Sequence, residues 1–341
     1  MKIEERIALM VRLGDHLRSD QDEFLKALMS RTEFNNQWFT LENQDLAIKA
    51  IAEHFLKKEQ LEAWVQAYDD LEPGTPQGIG LILAGNIPMV GFHDVLSVFM
   101  AGHYSRIKLS SKDSFVLPYL FKLLGEWDER SIPYFSILQK LEGFDAVIAT
   151  GSNNSSRYFE AYFGKYPNII RKNRNAVAVL SGEEDSTELH SLGKDVFRYF
   201  GLGCRNVAKI YVPNNYDFDP LLTALHEYRA IVMHSKYKNN FDYNYAMFML
   251  NKEPFKANGC ILLREDPETS SRIANLHYEY YDDLQAVPDL LSQRAEQIQC
   301  VVAKPDLLSL ETIPFGGAQK PELTDYADGV DTMAFLTGLN A

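Results

Sequence analysis

The sequence predicts an open α/β fold built around parallel strands, and three observations predict it. From Gly80 onward, short apolar runs of strand length alternate with stretches of helical spacing. Strand, helix and strand follow one another within about thirty residues, a crossover unit that implies parallel pairing with a right-handed connection. Turn clusters, beginning with Pro73-Gly74-Thr75-Pro76, separate these pieces.

The first 70 residues read as helices that pack against the rest of the chain. Ile3, Ile7, Met10, Val11 and Leu13 share roughly one helical face, and Leu46, Ile48, Ile51, Ala52, Phe55 and Leu56 form a second stripe. A strand follows at 80–84, Gly85-Asn86 turns the chain, and Pro88 stands where a helix can begin without losing a needed N–H. Residues 90–101 supply that helix, Gly102 ends it, and 104–109 form the next strand. A helix at 114–127 leads to a strand at 145–149 that ends in Thr150-Gly151-Ser152. Another helix fits 155–165, with strands at 168–170 and 176–180. Leu189, Leu192, Val196, Phe197 and Phe200 keep helical spacing up to Gly201-Leu202-Gly203-Cys204, and 208–212 is a strand. Beyond Pro213 the pattern is mixed: 219–232 reads as helix, 261–264 and 300–303 as buried strands. A tail rich in Gly, Pro and Asp starts at Pro314 and closes on the apolar stretch 333–336.

With 341 residues the chain is long enough for about two domains. Its composition, 46% apolar and 24% charged, is that of a globular protein and excludes collagen, coiled coil and disorder. The 34 basic and 47 acidic residues give a net charge of −13, the wrong sign for general nucleic-acid or anionic-membrane binding. A local basic pocket for a small phosphorylated ligand stays compatible with it. Three scattered cysteines make no disulfide framework. No apolar signal core follows Met1, and no stretch approaches the ~20 apolar residues of a membrane span. The expectation is a reduced, cytoplasmic protein with no membrane span.

Cys260 and Cys300 lie in apolar runs and read as core cysteines. Cys204 differs: two glycines closely precede it, Arg205 follows, and it sits at a helix-to-strand loop, where glycine lets backbone approach a ligand and a cation favours thiolate. The eight histidines are dispersed, with no HExxH, CxxC or short Cys/His cluster, so no zinc site is expected. His234 is a weak candidate partner for a cysteine. Neither a G-x-G-x-x-G turn nor a P-loop occurs.

The order of the pieces resembles the aldehyde dehydrogenase superfamily, and more narrowly its acyl-CoA reductase branch, typified by the fatty-acyl reductase of bacterial luminescence (LuxC-type). Five segments carry the resemblance from about Leu81 to the C-terminus. Leu81-Ile-Leu-Ala-Gly-Asn86-Ile-Pro88 matches the strand and turn with the superfamily's asparagine before proline. Arg106-Ile-Lys108-Leu-Ser-Ser111 matches the strand with the cofactor lysine, and Ala149-Thr-Gly151-Ser152 the turn beside the cofactor. Gly201-Leu-Gly-Cys204 matches the nucleophile loop, and Ile313-Pro-Phe315-Gly-Gly317 the substrate-tunnel segment. The closing stretch from Leu323 to Asp331 looks characteristic of the narrower branch.

The resemblance implies an aldehyde-dehydrogenase-like α/β fold with a Rossmann-like cofactor domain and a smaller α/β catalytic domain. The implied boundaries are 1–197 for helices and cofactor domain, 198–312 for the catalytic domain, and 313–341 for a tail returning to the active-site cleft. It implies Cys204 as nucleophile, Asn86 and the Cys204 backbone N–H as oxyanion donors, and Phe315 lining the acyl tunnel. Lys108, Ser111, Lys112, Gly151 and Ser152 would meet the cofactor.

Three departures sharpen this picture. Hydrolytic aldehyde dehydrogenases carry a general-base glutamate about 34 residues before the cysteine; that spacing here reaches Ile170, and no acid follows until Glu183. Without a base to activate water, an enzyme thioester survives for reduction. Where NAD-preferring members often place a glutamate, Lys108 is followed by Leu109, Ser110, Ser111 and Lys112, which suits a 2′-phosphate and hence NADPH, with NADH the alternative. The Glu-x-Phe-Gly-Pro segment and the oligomerisation hairpin have no counterpart. The expected function is NADPH-dependent reduction of an acyl-CoA or acyl-protein thioester to the aldehyde. An acyl-phosphate reductase on the same fold and an acyl-holding, non-catalytic subunit of a fatty-acid reductase complex are the rivals. Expected partners are acyl-CoA or an acylated protein, with a homo-oligomer or an acyl-transferring partner as the assemblies left open.

Overall fold

The computed structural model describes residues 1–69 and 71–340, apart from the side chains of Asn153 and Asn340. The chain divides into two compact units, 1–173 with 321–341, and 174–320. Four helices open the first unit: α1 (Ile3–Ser19), α2 (Glu23–Asn35), α3 (Leu41–His54) and α4 (Lys58–Val65). Their expected apolar stripes are buried: Ile7, Met10 and Leu13 of α1, and Ile48, Ile51 and Ala52 of α3, enter the unit's main core.

Next come β1 (Gly78–Ile82), α5 (Phe92–Met100), β2 (Tyr104–Lys108), α6 (Val116–Trp127), β3 (Phe135–Ile137), β4 (Ala146–Thr150), α7 (Asn153–Phe163) and β5 (Asn168–Arg171). The strands form one sheet in the order β3-β2-β1-β4-β5, parallel throughout. The strand order reverses at β1, so β1 and β4 flank a topological switch point, where open α/β sheets bind ligands beyond their carboxyl ends. Helix α5 starts at Phe92, later than expected from Pro88, because Met89 takes a left-handed φ of 58° and donates its N–H to the buried Asp113 carboxylate at 2.8 Å. Residues 83–91 thereby become a loop rather than a helical turn.

The second unit contains β6 (Asn175–Val179), α8 (Ser186–Phe197), β7 (Val207–Pro213), α9 (Asp219–His226), α10 (Ser235–Asn251), β8 (Lys256–Ala257), β9 (Leu262–Glu265), β10 (Asn275–Tyr281), α11 (Val287–Ser292) and β11 (Ile298–Val302). Its sheet runs β11-β6-β7-β10-β9-β8, antiparallel only at β8. The unit therefore begins at 174, not at 198 as the resemblance implied. The reason is pairing: β6 hydrogen-bonds β7 and β11 and so brings α8 with it. The sheet of this unit starts before the Cys204 loop.

The tail is shared. Residues 313–320 stay with the second unit, where Ile313 bridges Val302. Residues from Pro321, including α12 (Thr332–Thr337), belong to the first. There Trp64 donates its indole N–H to the Tyr326 hydroxyl at 2.6 Å, and Met333 and Leu336 are fully buried. Arg171, at the end of β5, grips both Asp94 oxygens at 2.7 and 2.6 Å and donates to the Thr332 hydroxyl at 3.0 Å. Among the described residues, no helix is long and apolar enough to cross a membrane.

Both members of the Arg171–Asp94 pair are at most 7% exposed, so removing one leaves an uncompensated buried charge. Asp94→Ala should lower the unfolding free energy by about 3–5 kcal/mol, read from urea denaturation. Asp94→Ala combined with Arg171→Met should cost less than Asp94→Ala alone.

Candidate active site

Six of the eight expected site residues lie along the carboxyl edge of the first sheet. The register aligns Ile82 of β1 with Lys108 of β2 and Ala149 of β4, so the loops that follow these strands emerge side by side. Asn86 is exposed in the loop after β1. Lys108 ends β2, exposed, while its carbonyl accepts the Leu83 N–H at 3.1 Å. Ser111 and Lys112 are exposed in the next turn.

The first two loops touch at Gly85, where a Cβ would come within 2.3 Å of the Ser110 hydroxyl oxygen. Only glycine allows that approach. Asn35 and Asn36, at the end of α2, donate to the Ser111 and Lys112 carbonyls at 3.1 and 3.3 Å and brace the second loop. Neither was among the expected site residues; adjacent asparagines at a helix end were the available signal. Gly151 packs tightly, since a Cβ there would lie 2.8 Å from the Phe159 ring. Ser152 caps α7, its hydroxyl oxygen accepting from the Ser155 N–H at 3.2 Å. That helix N-terminus presents its positive end at the sheet's carboxyl edge. The donors available here are two ammonium groups, hydroxyls and backbone N–H groups, a set that suits a phosphorylated dinucleotide.

Cys204 and Phe315 both lie in the second unit, Cys204 half-buried in the loop between α8 and β7. Helix α8 stops at Phe197, short of the expected Phe200, because Tyr199, Phe200, Gly201 and Gly203 take φ values of 53°, 60°, 73° and 104°. Left-handed backbone at two aromatic residues is costly and persists only where surroundings enforce it. Phe200 packs on the His234 ring, 4.2 Å between centroids. His234, weighed as a partner for a cysteine, caps α10, its Nδ1 accepting from the Tyr237 N–H at 3.4 Å.

Asn206 closes the other side of the loop, donating to the Asp195 and Val196 carbonyls at 3.2 and 2.7 Å. Arg205, expected to favour the thiolate, donates its Nε–H to the Ala318 carbonyl at 2.6 Å. The Asp195 carboxylate accepts the N–H groups of Gly316 and Ala318 at 2.6 and 3.0 Å. Burial raises the Asp195 pKa to about 6, with these two bonds pulling it down. The segment after Phe315 is thus tied both to the end of α8 and to the residue after Cys204. Asp195 and Asn206 were not among the expected site residues. The signal for Asp195 was an acid three residues after Leu192, at the apolar stripe of a helix.

Asn86 and the cofactor candidates belong to one unit, Cys204 and Phe315 to the other. Cys300, expected in the core, is half-buried because β11 is an edge strand. Cys260 is fully buried, and burial raises its thiol pKa to about 11. Among the described residues no cluster of three His, Cys, Asp or Glu side chains is placed to hold a metal ion.

No protein-family model matches the sequence, and no curated protein sequence matches it. Solved structures do match the fold. Aldehyde dehydrogenase 21 from Physcomitrella patens, in complex with its reaction product succinate, aligns over 89% of this chain and 73% of its own, with a TM-score of 0.65 at 14% identity. A variant of aldehyde dehydrogenase C from Pseudomonas syringae, bound to NAD+ and octanal, aligns over 92% and 78%, with a TM-score of 0.63 at 12% identity. An oxidoreductase from Marinobacter aquaeolei gives a TM-score of 0.67 at 12% identity over 94% and 79%. The chain has an aldehyde-dehydrogenase-like α/β fold.

Cysteine accessibility and ionisation give a direct test of this geometry. At about pH 8, a thiol of pKa about 11 is roughly a thousandth ionised. Iodoacetamide should therefore label Cys204 in the folded protein and leave Cys260 unmodified, as read by peptide mass spectrometry. Cys260 should become reactive only on unfolding.

Proposed function

We propose that the protein is a nicotinamide-dependent oxidoreductase that reduces an acyl thioester, a fatty acyl-CoA or an acyl group on a partner protein, to the aldehyde. The observation that carries this reading is the half-buried Cys204 on a left-handed glycine loop, stitched through Arg205 and Asp195 to the segment of Phe315. A thiolate is a soft nucleophile suited to thioester exchange. The Cys204 thiolate attacks the acyl carbonyl carbon, the carbon–sulfur bond to CoA breaks, and CoA leaves as its thiolate and takes a proton from solvent. Asn86 and the Cys204 backbone N–H are the proposed donors to the developing oxyanion. The reduced nicotinamide, when bound, supplies the hydride that adds to the carbonyl carbon of the enzyme thioester. Cleavage of the resulting thiohemiacetal releases the aldehyde and returns the Cys204 thiolate.

Reduction rather than hydrolysis is supported by how the acids before Cys204 are engaged. Glu184 accepts from Ser181 and Gly182, and Asp185 caps α8. Glu188 accepts from the Asp185 N–H and pairs with Lys304, and Asp195 holds Gly316 and Ala318. These four carboxylates are engaged in holding local structure; Glu183, exposed in the turn before α8, is not among them.

For the cofactor we propose that Lys108, Ser111 and Lys112 read the adenosine ribose and that Gly151 and Ser152, with the N-terminus of α7, hold a phosphate. Lys108 and Lys112, on either side of Ser111 in the sequence, support NADPH over NADH.

Labelled acyl-CoA should leave a thioester on Cys204, and Cys204→Ala should abolish both that label and NADPH-dependent aldehyde formation. Turnover with acyl phosphate alone would move the assignment to acyl-phosphate reduction, and turnover persisting in Cys204→Ala would remove it. Asn86→Ala should lower kcat on the order of 10²–10³-fold. An effect confined to KM would make Asn86 a turn residue only.

Ser111→Glu places a carboxylate where a 2′-phosphate of roughly −1.5 to −2 charge would sit. It should move the kcat/KM ratio toward NADH by about tenfold to a hundredfold. The wild-type preference for NADPH should narrow at high ionic strength. A wild type that prefers NADH would mean that this turn does not read the 2′-position.

A further inference from the structure

The bonds around Asp195 form a closed ring. Its backbone carbonyl accepts from Asn206, two residues after Cys204. Its carboxylate accepts from Gly316 and Ala318 on either side of Gly317. The Ala318 carbonyl in turn accepts from Arg205, the residue after Cys204. Gly316, at φ 85°, leaves no slack, since a Cβ there would lie 3.3 Å from the Ser191 carbonyl oxygen on α8. The end of α8 therefore holds the Cys204 loop through backbone carbonyls and the Phe315 segment through the Asp195 carboxylate.

We propose that Asp195 is a positioning residue that selects acyl chains, fixing Phe315 relative to the Cys204 loop through Gly316 and Ala318. The inference rests on the reading of Cys204 as nucleophile and Phe315 as tunnel wall. Without the carboxylate, the two N–H groups lose their shared acceptor and the segment loosens. An alkyl chain then loses its ordered wall, while a short reagent that needs no wall still reaches the sulfur.

The test uses the full-length chain and two alkylating probes that need no turnover, iodoacetamide and N-dodecyl iodoacetamide. In each, the Cys204 thiolate displaces iodide. Labelling of the Cys204 peptide is followed by mass spectrometry, with a thermal melt recorded in parallel. In the wild type the dodecyl probe should label faster than iodoacetamide and with saturation. In Asp195→Ala that rate ratio should fall on the order of tenfold, equivalent to losing burial of about two methylene groups, with the iodoacetamide rate nearly unchanged. Asp195→Asn keeps the shape and one acceptor oxygen, and should lower the ratio less.

A lower melting temperature in either folded variant with an unchanged ratio would make Asp195 merely structural and overturn the proposal. Should Asp195→Ala fail to fold, Asp195→Asn decides alone by the same criterion. A wild type with no chain-length effect would overturn the tunnel reading itself, and this inference with it.

Discussion

Burying a carboxylate removes it from water at a cost that only good hydrogen bonds offset. Asp195 meets that condition by accepting two backbone N–H groups from a segment more than a hundred residues away in sequence. In the second unit the Phe315 segment depends on this exchange. The Phe315 segment is held where the carboxylate needs its donors, and the Cys204 loop is held to the same helix end by Asn206. Left-handed Tyr199 and Phe200 are tolerated because both ends of their turn are fixed.

The first unit uses the same device. Asp113 is buried, its pKa likewise raised to about 6 by desolvation, and it accepts the N–H of Met89. That bond stabilises a left-handed residue and keeps 83–91 as a loop, which carries Asn86. In both units a buried acid fixes a catalytic-candidate loop through main-chain donors. Such an arrangement supplies positional precision without occupying the side chains that would face a ligand.

The buried cation in the second sheet follows a related logic. Lys209 on β7 is fully buried, and it donates to the Asp266 and Pro267 carbonyls at 2.9 and 2.8 Å and to Glu279 on β10. Arg294 joins Glu279 and the Tyr211 hydroxyl. These partners let β10, a strand with alternating polar residues, sit in the middle of the sheet between β7 and β9.

Local pattern was enough to establish the α/β alternation, the crossover at β1-α5-β2, the buried stripes of α1 and α3, and the glycine-flanked Cys204 loop, because each depends on neighbours within one or two turns of chain. The sequence missed α10 and β10. On α10 only Tyr237, Asn244 and Phe248 are buried, too thin a stripe to read, and β10 presents His277 and Glu279 whose burial depends on Lys209 and Asp266 from elsewhere in the chain. The unit boundary at 173/174, the split of the tail, and the joining of Phe315 to the Cys204 loop were likewise decided by tertiary structure. Each is set by hydrogen bonds between residues far apart in sequence, which no local periodicity encodes.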